Sequence, residues 1–172
     1  MKKQILPVVV AAILATMAIA TLFFNQKKLS SVPELSLNII DGRKIELQAL
    51  KGKPLLVTFW ATTCSTCIKE IPHLIKLYND LGNDVFEIIA IAMPYDPPNL
   101  VVSLSKRENL PYPVALDIQG EAVKAFGNVQ VTPTSFLIDS QGNIVEEQAG
   151  EIDIKELKQK VIALQKTKTS VS

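Results

Sequence analysis

Apolar positions along the chain fall into one long block and many short ones. From Ile5 to Phe24 there is no charge, and the run is rich in Val, Ile, Leu and Ala. Twenty residues of helix span about 30 Å, roughly the hydrocarbon thickness of a bilayer. Two readings compete for it. Ala18-Ile19-Ala20 resembles a signal-peptidase site, but cleavage there leaves Thr21-Leu22-Phe23-Phe24 as an apolar new terminus. The run also exceeds the ~7–15 residues of a signal core. An uncleaved anchor over residues 1–28 is favoured. Lys2 and Lys3 hold its N-terminus inside, and Lys27 and Lys28 on the far side weaken that bias. A buried soluble helix is a poor third reading, since no polar face interrupts the run.

The remaining blocks are short and punctuated by Gly, Pro, Asn and Asp. Residues 29–34, with Pro33, read as a linker, and 167–172 as a disordered tail. Leu35–Ile40 and Lys44–Leu47 flank Asp41-Gly42, a hairpin signal. After the turn Lys51-Gly52-Lys53-Pro54, Leu55–Trp60 is nearly all apolar, as suits a strand covered on both faces. Ile68, Ile71, Leu74, Ile75, Leu77 and Tyr78 then recur at helical spacing up to Gly82-Asn83, with Pro72 expected to kink the helix. Val85–Met93 predicts a second buried strand, Asn99–Asn109 a helix, Val114–Leu116 a short strand, and Gln119–Phe126 a helix stopped by Gly127. Ser135–Asp139 and Ile144–Gln148 flank the turn Gln141-Gly142-Asn143, and Ile152–Gln165 is amphipathic through Ile154, Leu157, Val161 and Leu164. Strands alternating with helices and ending in a hairpin predict an α/β domain over 35–166, with a mixed central sheet and helices on both faces.

Composition narrows the function. The 172 residues carry a net charge of +1, so no basic field points to nucleic acid. Mean hydropathy is +0.24, and much of that excess sits in the first 24 residues. The only cysteines are Cys64 and Cys67. A loop this short makes a poor structural cross-link, and exported proteins stabilised by disulfides normally carry several.

Cys64-Ser65-Thr66-Cys67 lies between the predicted buried strand and the amphipathic helix. That placement puts Cys64 at or before the first helical turn, where unpaired N–H groups and the helix dipole favour a negative charge. A free thiol ionises near 8.5, and such settings lower the value to roughly 3.5–7.5. The thiolate attacks disulfides. Cys67, a turn further in and less exposed, is placed to displace the mixed disulfide. The Ser65 and Thr66 hydroxyls are available to hydrogen-bond the thiolate.

Phe59-Trp60-Ala61-Thr62-Thr63-Cys64-Ser65-Thr66-Cys67 resembles the active-site segment of the thioredoxin superfamily. Glu70 and Pro72, three and five residues after Cys67, are similar to the membrane-anchored, extracytoplasmic TlpA/ResA branch. So are Asp41-Gly42-Arg43-Lys44, Leu50-Lys51-Gly52-Lys53-Pro54 and Thr132-Pro133-Thr134, and the resemblance spans about residues 35–165. It implies a thioredoxin-like fold with an N-terminal β-hairpin extension and an N-terminal transmembrane helix. Two departures bear on redox potential and partner surface: Thr63 stands where the branch usually has Trp, and Thr66 where it often has Pro. Thr58 occupies the place of the buried Asp of cytoplasmic thioredoxins, which leaves Glu70 as the candidate acid near the thiols.

The resemblance further implies that Pro133 is cis and that its loop faces the cysteines, with the Thr132 backbone free to pair with an extended substrate. Glu70 reads either as a solvated helix charge or as a partly buried proton acceptor for Cys67. Trp60 is core packing and active-site support before it is a substrate contact, and His73 is a surface residue. The expected activity is thiol–disulfide oxidoreduction. The expected direction is reduction of particular exported protein disulfides, including those of apocytochromes c, with electrons from a membrane-embedded thiol donor and no cofactor or metal. The expected location is the cytoplasmic membrane with the catalytic domain outside, in the periplasm or its equivalent. A broad oxidase or isomerase is the alternative within the class. A peroxiredoxin is disfavoured by Val57 and Ala61, where it needs Pro and Thr, and a c-type haem site by Ile68, where it needs His. A copper-delivery module of the same fold lacks a second His, and a zinc site lacks two ligands.

Overall fold

The computed structural model describes residues 30–169. The apolar run expected as an anchor lies outside them, and among the described residues no helix is long and apolar enough to cross a membrane. A five-stranded sheet is built from β3 (Leu55–Trp60), β4 (Glu87–Ala92), β5 (Val114–Leu116), β6 (Thr134–Ile138) and β7 (Ile144–Ala149), in the order β5-β4-β3-β6-β7. β3 pairs parallel with β4 and antiparallel with β6, β4 pairs parallel with β5, and β6 antiparallel with β7. The mixed sheet is the expected one. Every residue of β3 and β4 is buried, as their unbroken apolar runs require of inner strands.

The helices are α1 (Ser65–Leu81), α2 (Pro98–Arg107), α3 (Glu121–Ala125) and α4 (Ile154–Thr169). The crossovers β3-α1-β4 and β4-α2-β5 step the same way along the sheet. Right-handedness therefore puts both helices on one face. There Ile71, Leu74 and Leu77 of α1, Val101 and Leu104 of α2, and Leu157 and Val161 of α4 share a core with sheet residues including Leu56 and Ile88. The opposite face departs from the expectation of a helical layer. Among the described residues its only α-helix is the five-residue α3, and the rest is closed by the N-terminal segment with its short 3-10 turn Leu47–Leu50. Leu37, Ile39 and Leu47 pack there against Val57, Phe59, Ile89 and Phe136.

That segment carries the expected hairpin, β1 (Ser36–Asn38) and β2 (Lys44–Glu46), turning at Gly42 with φ 90°. It is tied to the sheet edge by Ile40 N–H donating to Val114 O at 2.9 Å. The stretch expected as linker is docked from Ser30 onward. Val32 N–H donates to Gly142 O at 2.8 Å, Ile144 N–H donates to Ser30 O at 3.0 Å, and Val32 is buried. α4 continues to Thr169, into the stretch predicted as a tail from 167; residues 170–172 lie outside the described ones.

α1 runs 17 residues through Pro72 without interruption, and Gly82, with φ 79°, stops it by donating its N–H to Tyr78 O at 2.9 Å. Carboxylates cap two later helices. Asp117 accepts from Ala122 N–H and Val123 N–H at 3.0 and 2.8 Å, and Asp153 from Lys155 N–H and Glu156 N–H at 2.9 and 3.0 Å.

The core beneath β3 and β6 centres on three rings. Phe59 meets Phe126 at 5.4 Å and Phe136 at 6.1 Å, and Phe126 meets Phe136 at 4.9 Å. Phe136→Ala empties the middle of this cluster, and the expected loss is about 3–5 kcal/mol of unfolding free energy. Urea titration of the oxidised protein measures it; a midpoint equal to the parent's refutes the packing argument.

Candidate active site

β3 delivers the chain to the C-terminal edge of the sheet, and the turn after Trp60 hands it to α1. Cys64 N–H donates to Ala61 O at 3.1 Å, and Cys64 is the N-cap of α1, with extended backbone (φ −85°, ψ 103°). Its side chain takes the place usually held by Ser or Asp: Cys67 N–H donates to Cys64 Sγ at 3.2 Å. Cys64 and Cys67 form a disulfide with S–S 2.17 Å and Cα–Cα 5.3 Å. The two sulfurs differ in access. Cys64 is half-buried, whereas Cys67 is 3% exposed and belongs to the core under α1. Ser65 is exposed and Thr66 half-buried, and among the described residues neither hydroxyl is hydrogen-bonded to a sulfur of the oxidised pair.

The Thr132–Pro133 peptide is cis, as the resemblance implies, and opens β6. Phe59 pairs with Thr134, so continuing the register puts Pro133 opposite Trp60 and Thr132 opposite Ala61, three residues from Cys64. Pro133 O accepts from Gly150 N–H at 2.8 Å. Thr132 is half-buried, and no hydrogen bond is made by its backbone among the described residues.

Behind Cys67 lies a small enclosed cavity bounded by Thr58, Trp60, Glu70, Ile71, Tyr112 and neighbouring side chains. Glu70 is more buried than expected, at 3% exposure, and its Oε1 accepts from Ile152 N–H at 2.8 Å, which ties α1 to the start of α4. Burial pushes its carboxyl above the ordinary carboxylate range, and the nearby Glu151 charge adds to this. The Ile152 bond and the His73 charge oppose it. Burial, and then the charge of Glu70, raise the Tyr112 phenol. Trp60 is 4% exposed, so its indole packs inside; among the described residues its buried Nε1 has no acceptor. His73 is exposed on α1.

Sequence reasoning missed Asp96. It sits in the Pro-punctuated loop after β4, is 5% exposed, and accepts from both Thr62 N–H and Thr62 Oγ1 at 2.6 Å. This buried carboxylate holds the turn that aims Cys64. A carboxylate in a loop between prolines carries no sequence signal that distinguishes it from a solvated charge. It also missed Tyr112 and the 2.8 Å hydrogen bond from Ser135 Oγ to Thr58 Oγ1, because residues 77 apart are brought together only by the β3–β6 pairing.

Asp96→Ala strands two donors of Thr62, and the expected loss is about 2–3 kcal/mol of stability with faster proteolysis near residues 61–63. A parent-like urea midpoint and cleavage pattern removes Asp96 from this role. The raised Glu70 value has a definite sign. Its folded-state value exceeds the unfolded one, so its contribution is complete below the ordinary value of 4.5 and is lost as pH rises through the raised one. The stability of the oxidised protein is therefore expected to fall with pH over this window, and Glu70→Gln to remove that fall. Identical slopes for the two proteins contradict the burial effect.

The comparisons with known proteins agree with this geometry. The redoxin family model matches residues 27–161. The thiol-disulfide oxidoreductase ResA of Bacillus thuringiensis subsp. konkukian is 38% identical over 120 residues, covering 69% of this chain and 68% of its own. A candidate thioredoxin from Neisseria meningitidis, solved in solution, superposes with TM-score 0.74 at 35% identity, covering 80% of this chain and 91% of its own. The crystal structure of StoA from Bacillus subtilis gives TM-score 0.64 at 26% identity, covering 73% and 93%. A cysteine pair in this setting, matched along most of its length, places the chain in the redoxin family, as a ResA-like thiol–disulfide oxidoreductase of the thioredoxin superfamily.

Proposed function

We propose that the chain is a membrane-tethered, extracytoplasmic reductase of particular disulfides in exported proteins, of the cytochrome c maturation type. The observation that carries this reading is the unequal pair: Cys64 is half-exposed at the helix start and Cys67 is buried behind it. Cys64 thiolate attacks a substrate disulfide, forming a Cys64–substrate bond and releasing one substrate thiolate. Cys67 then loses its proton and attacks Cys64. The Cys64–Cys67 bond forms, the Cys64–substrate bond breaks, and two electrons have passed to the substrate. A membrane-embedded dithiol donor returns the pair to its reduced form. The unpaired Thr132 backbone, held by the cis Pro133, receives the substrate segment as an added strand. Glu70, in the cavity that Cys67 borders, accepts the Cys67 proton. The uncharged run Ile5–Phe24 supports an N-terminal anchor in the cytoplasmic membrane with the domain on its outer side.

Cys67→Ser is expected to accumulate mixed disulfides through Cys64, separable on non-reducing gels and identified by mass spectrometry. Adducts obtained with Cys64→Ser instead reverse the two roles. The reduction potential, measured by equilibration with glutathione, is expected nearer the roughly −270 mV of thioredoxin than the roughly −120 mV of strong oxidants. A value at the oxidising end replaces the reductase by an oxidase.

A further inference from the structure

Two recesses share a pair of hydroxyls. Thr58 of β3 lines the enclosed cavity with Cys67 and Glu70. Ser135 of β6 lines a separate groove open to solvent, with Glu151, Ile152, Asp153 and Glu156 along it. Thr58 and Ser135 are register partners in the sheet, both almost fully buried, and their hydroxyl oxygens are 2.8 Å apart. The recesses also meet where Glu70 Oε1 accepts from Ile152 N–H at 2.8 Å, but a backbone amide does not pass a proton on; Leu56 on the groove side and Ile71 and Leu74 on the cavity side are apolar. A sheet of alkyl groups needs no hydroxyl here, and Val in both places fits the pleat without burying polar atoms.

We infer that the Thr58–Ser135 hydroxyl pair relays the proton exchanged by Cys67 and Glu70 between the closed cavity and the solvent-open groove. This rests on the reading of Glu70 as the acceptor of the Cys67 proton. When Cys67 closes the disulfide, its thiol proton reaches Glu70. The Glu70 carboxyl then gives up that proton into the cavity it shares with Thr58, Thr58 Oγ1 takes it up and passes its own to Ser135 Oγ, and Ser135 releases one to groove water or the Glu151 carboxylate. Each oxygen gains one proton and loses one, and no electron moves with them. Either hydroxyl of the pair can donate to the other across the 2.8 Å contact, and Ser135 donating to Thr58 sets the inward direction that reprotonates Cys67 on reduction. Rotation of both hydroxyls about their Cβ–Oγ bonds sets the outward one. The titratable groups facing Glu70 are Cys67 and Tyr112 within the cavity, Glu151 on the segment before α4, and His73 on α1.

The test uses the reduced protein and dithiobis-nitrobenzoate in stopped flow. The first thionitrobenzoate released reports attack by Cys64, and the second reports resolution by Cys67. Thr58→Val and Ser135→Ala are each expected to slow the second phase about tenfold or more and to change its solvent deuterium isotope effect. Positioned proton transfer contributes about a hundredfold at its low end, and occasional water entry offsets part of it. The first phase stays at the parent rate, and Thr58→Ser restores the second. A second phase with parent rate and isotope effect in both variants overturns the relay, and so does equal slowing of both phases, which reports a disturbed fold. Glu70→Gln, run in parallel, separates the two readings. If it alone slows resolution, Glu70 keeps its role and the relay falls. If only the hydroxyl variants slow it, Glu70 is not the acceptor, and the relay through Glu70 falls with that reading.

Discussion

The structure depends on one hydrogen bond at the start of one helix, from the Cys67 N–H to the Cys64 sulfur. A helix leaves its first N–H groups without partners, and proteins usually satisfy one of them with an oxygen of Ser, Thr, Asp or Asn. Here the capping atom is the reacting atom. In the disulfide the sulfur is a weak acceptor. Once the bond opens, the same N–H and the aligned peptide dipoles face a thiolate, a much better acceptor. The interaction is therefore stronger in the reduced state than in the oxidised one, which favours the thiolate at the capping position. Everything that fixes the first turn of α1 serves this contact: β3 sets its origin, Asp96 holds the preceding turn through Thr62, and Glu70 ties the second turn to the start of α4.

The second constraint is the difference between the two sulfurs. Cys64 must be reachable, and Cys67 must be close but sheltered, or a substrate would attack either one. The 3.6-residue period of the helix supplies this, because a residue three positions after the N-cap lies on the inward face with Ile71 and Leu74. Shelter has a consequence. A thiol that must ionise inside an apolar core needs somewhere for its proton to go, and the polar atoms behind Cys67 are few: Glu70, Thr58, Tyr112 and the unpaired indole N–H of Trp60.

Much of this was legible from the chain. The unbroken apolar runs at Leu55–Trp60 and Val85–Met93 marked the inner strands, and their flanks marked α1, because strand and helix periods differ enough to be read locally. The cysteine pair was placed correctly for the same reason. Contacts that pair distant segments were not legible. The docking of Val32 and Ile40 on the sheet, the partial replacement of a helical layer by the hairpin, and the Asp96–Thr62 clamp depend on topology, which a one-dimensional pattern does not carry. Trp60 shows the limit for a single residue: its position at the strand end suited either a core or an exposed role, and only the pleat direction at β3 decides that it points inward.

Thr58 is where these constraints meet. A carboxylate on β3 at that place would sit beside Glu70 in the same closed cavity, and two desolvated acids there would oppose each other's ionisation. With a hydroxyl in its place, the only carboxylate bordering the cavity among the described residues is Glu70 on the helix, three residues after Cys67. The hydroxyl brings no charge to bury, yet it both donates and accepts, and Ser135 answers it across the strand pair. The strand thus contributes polar contact without a second charge. The acid stays on the element that also carries both cysteines, so whatever moves α1 moves the sulfurs and their carboxylate together.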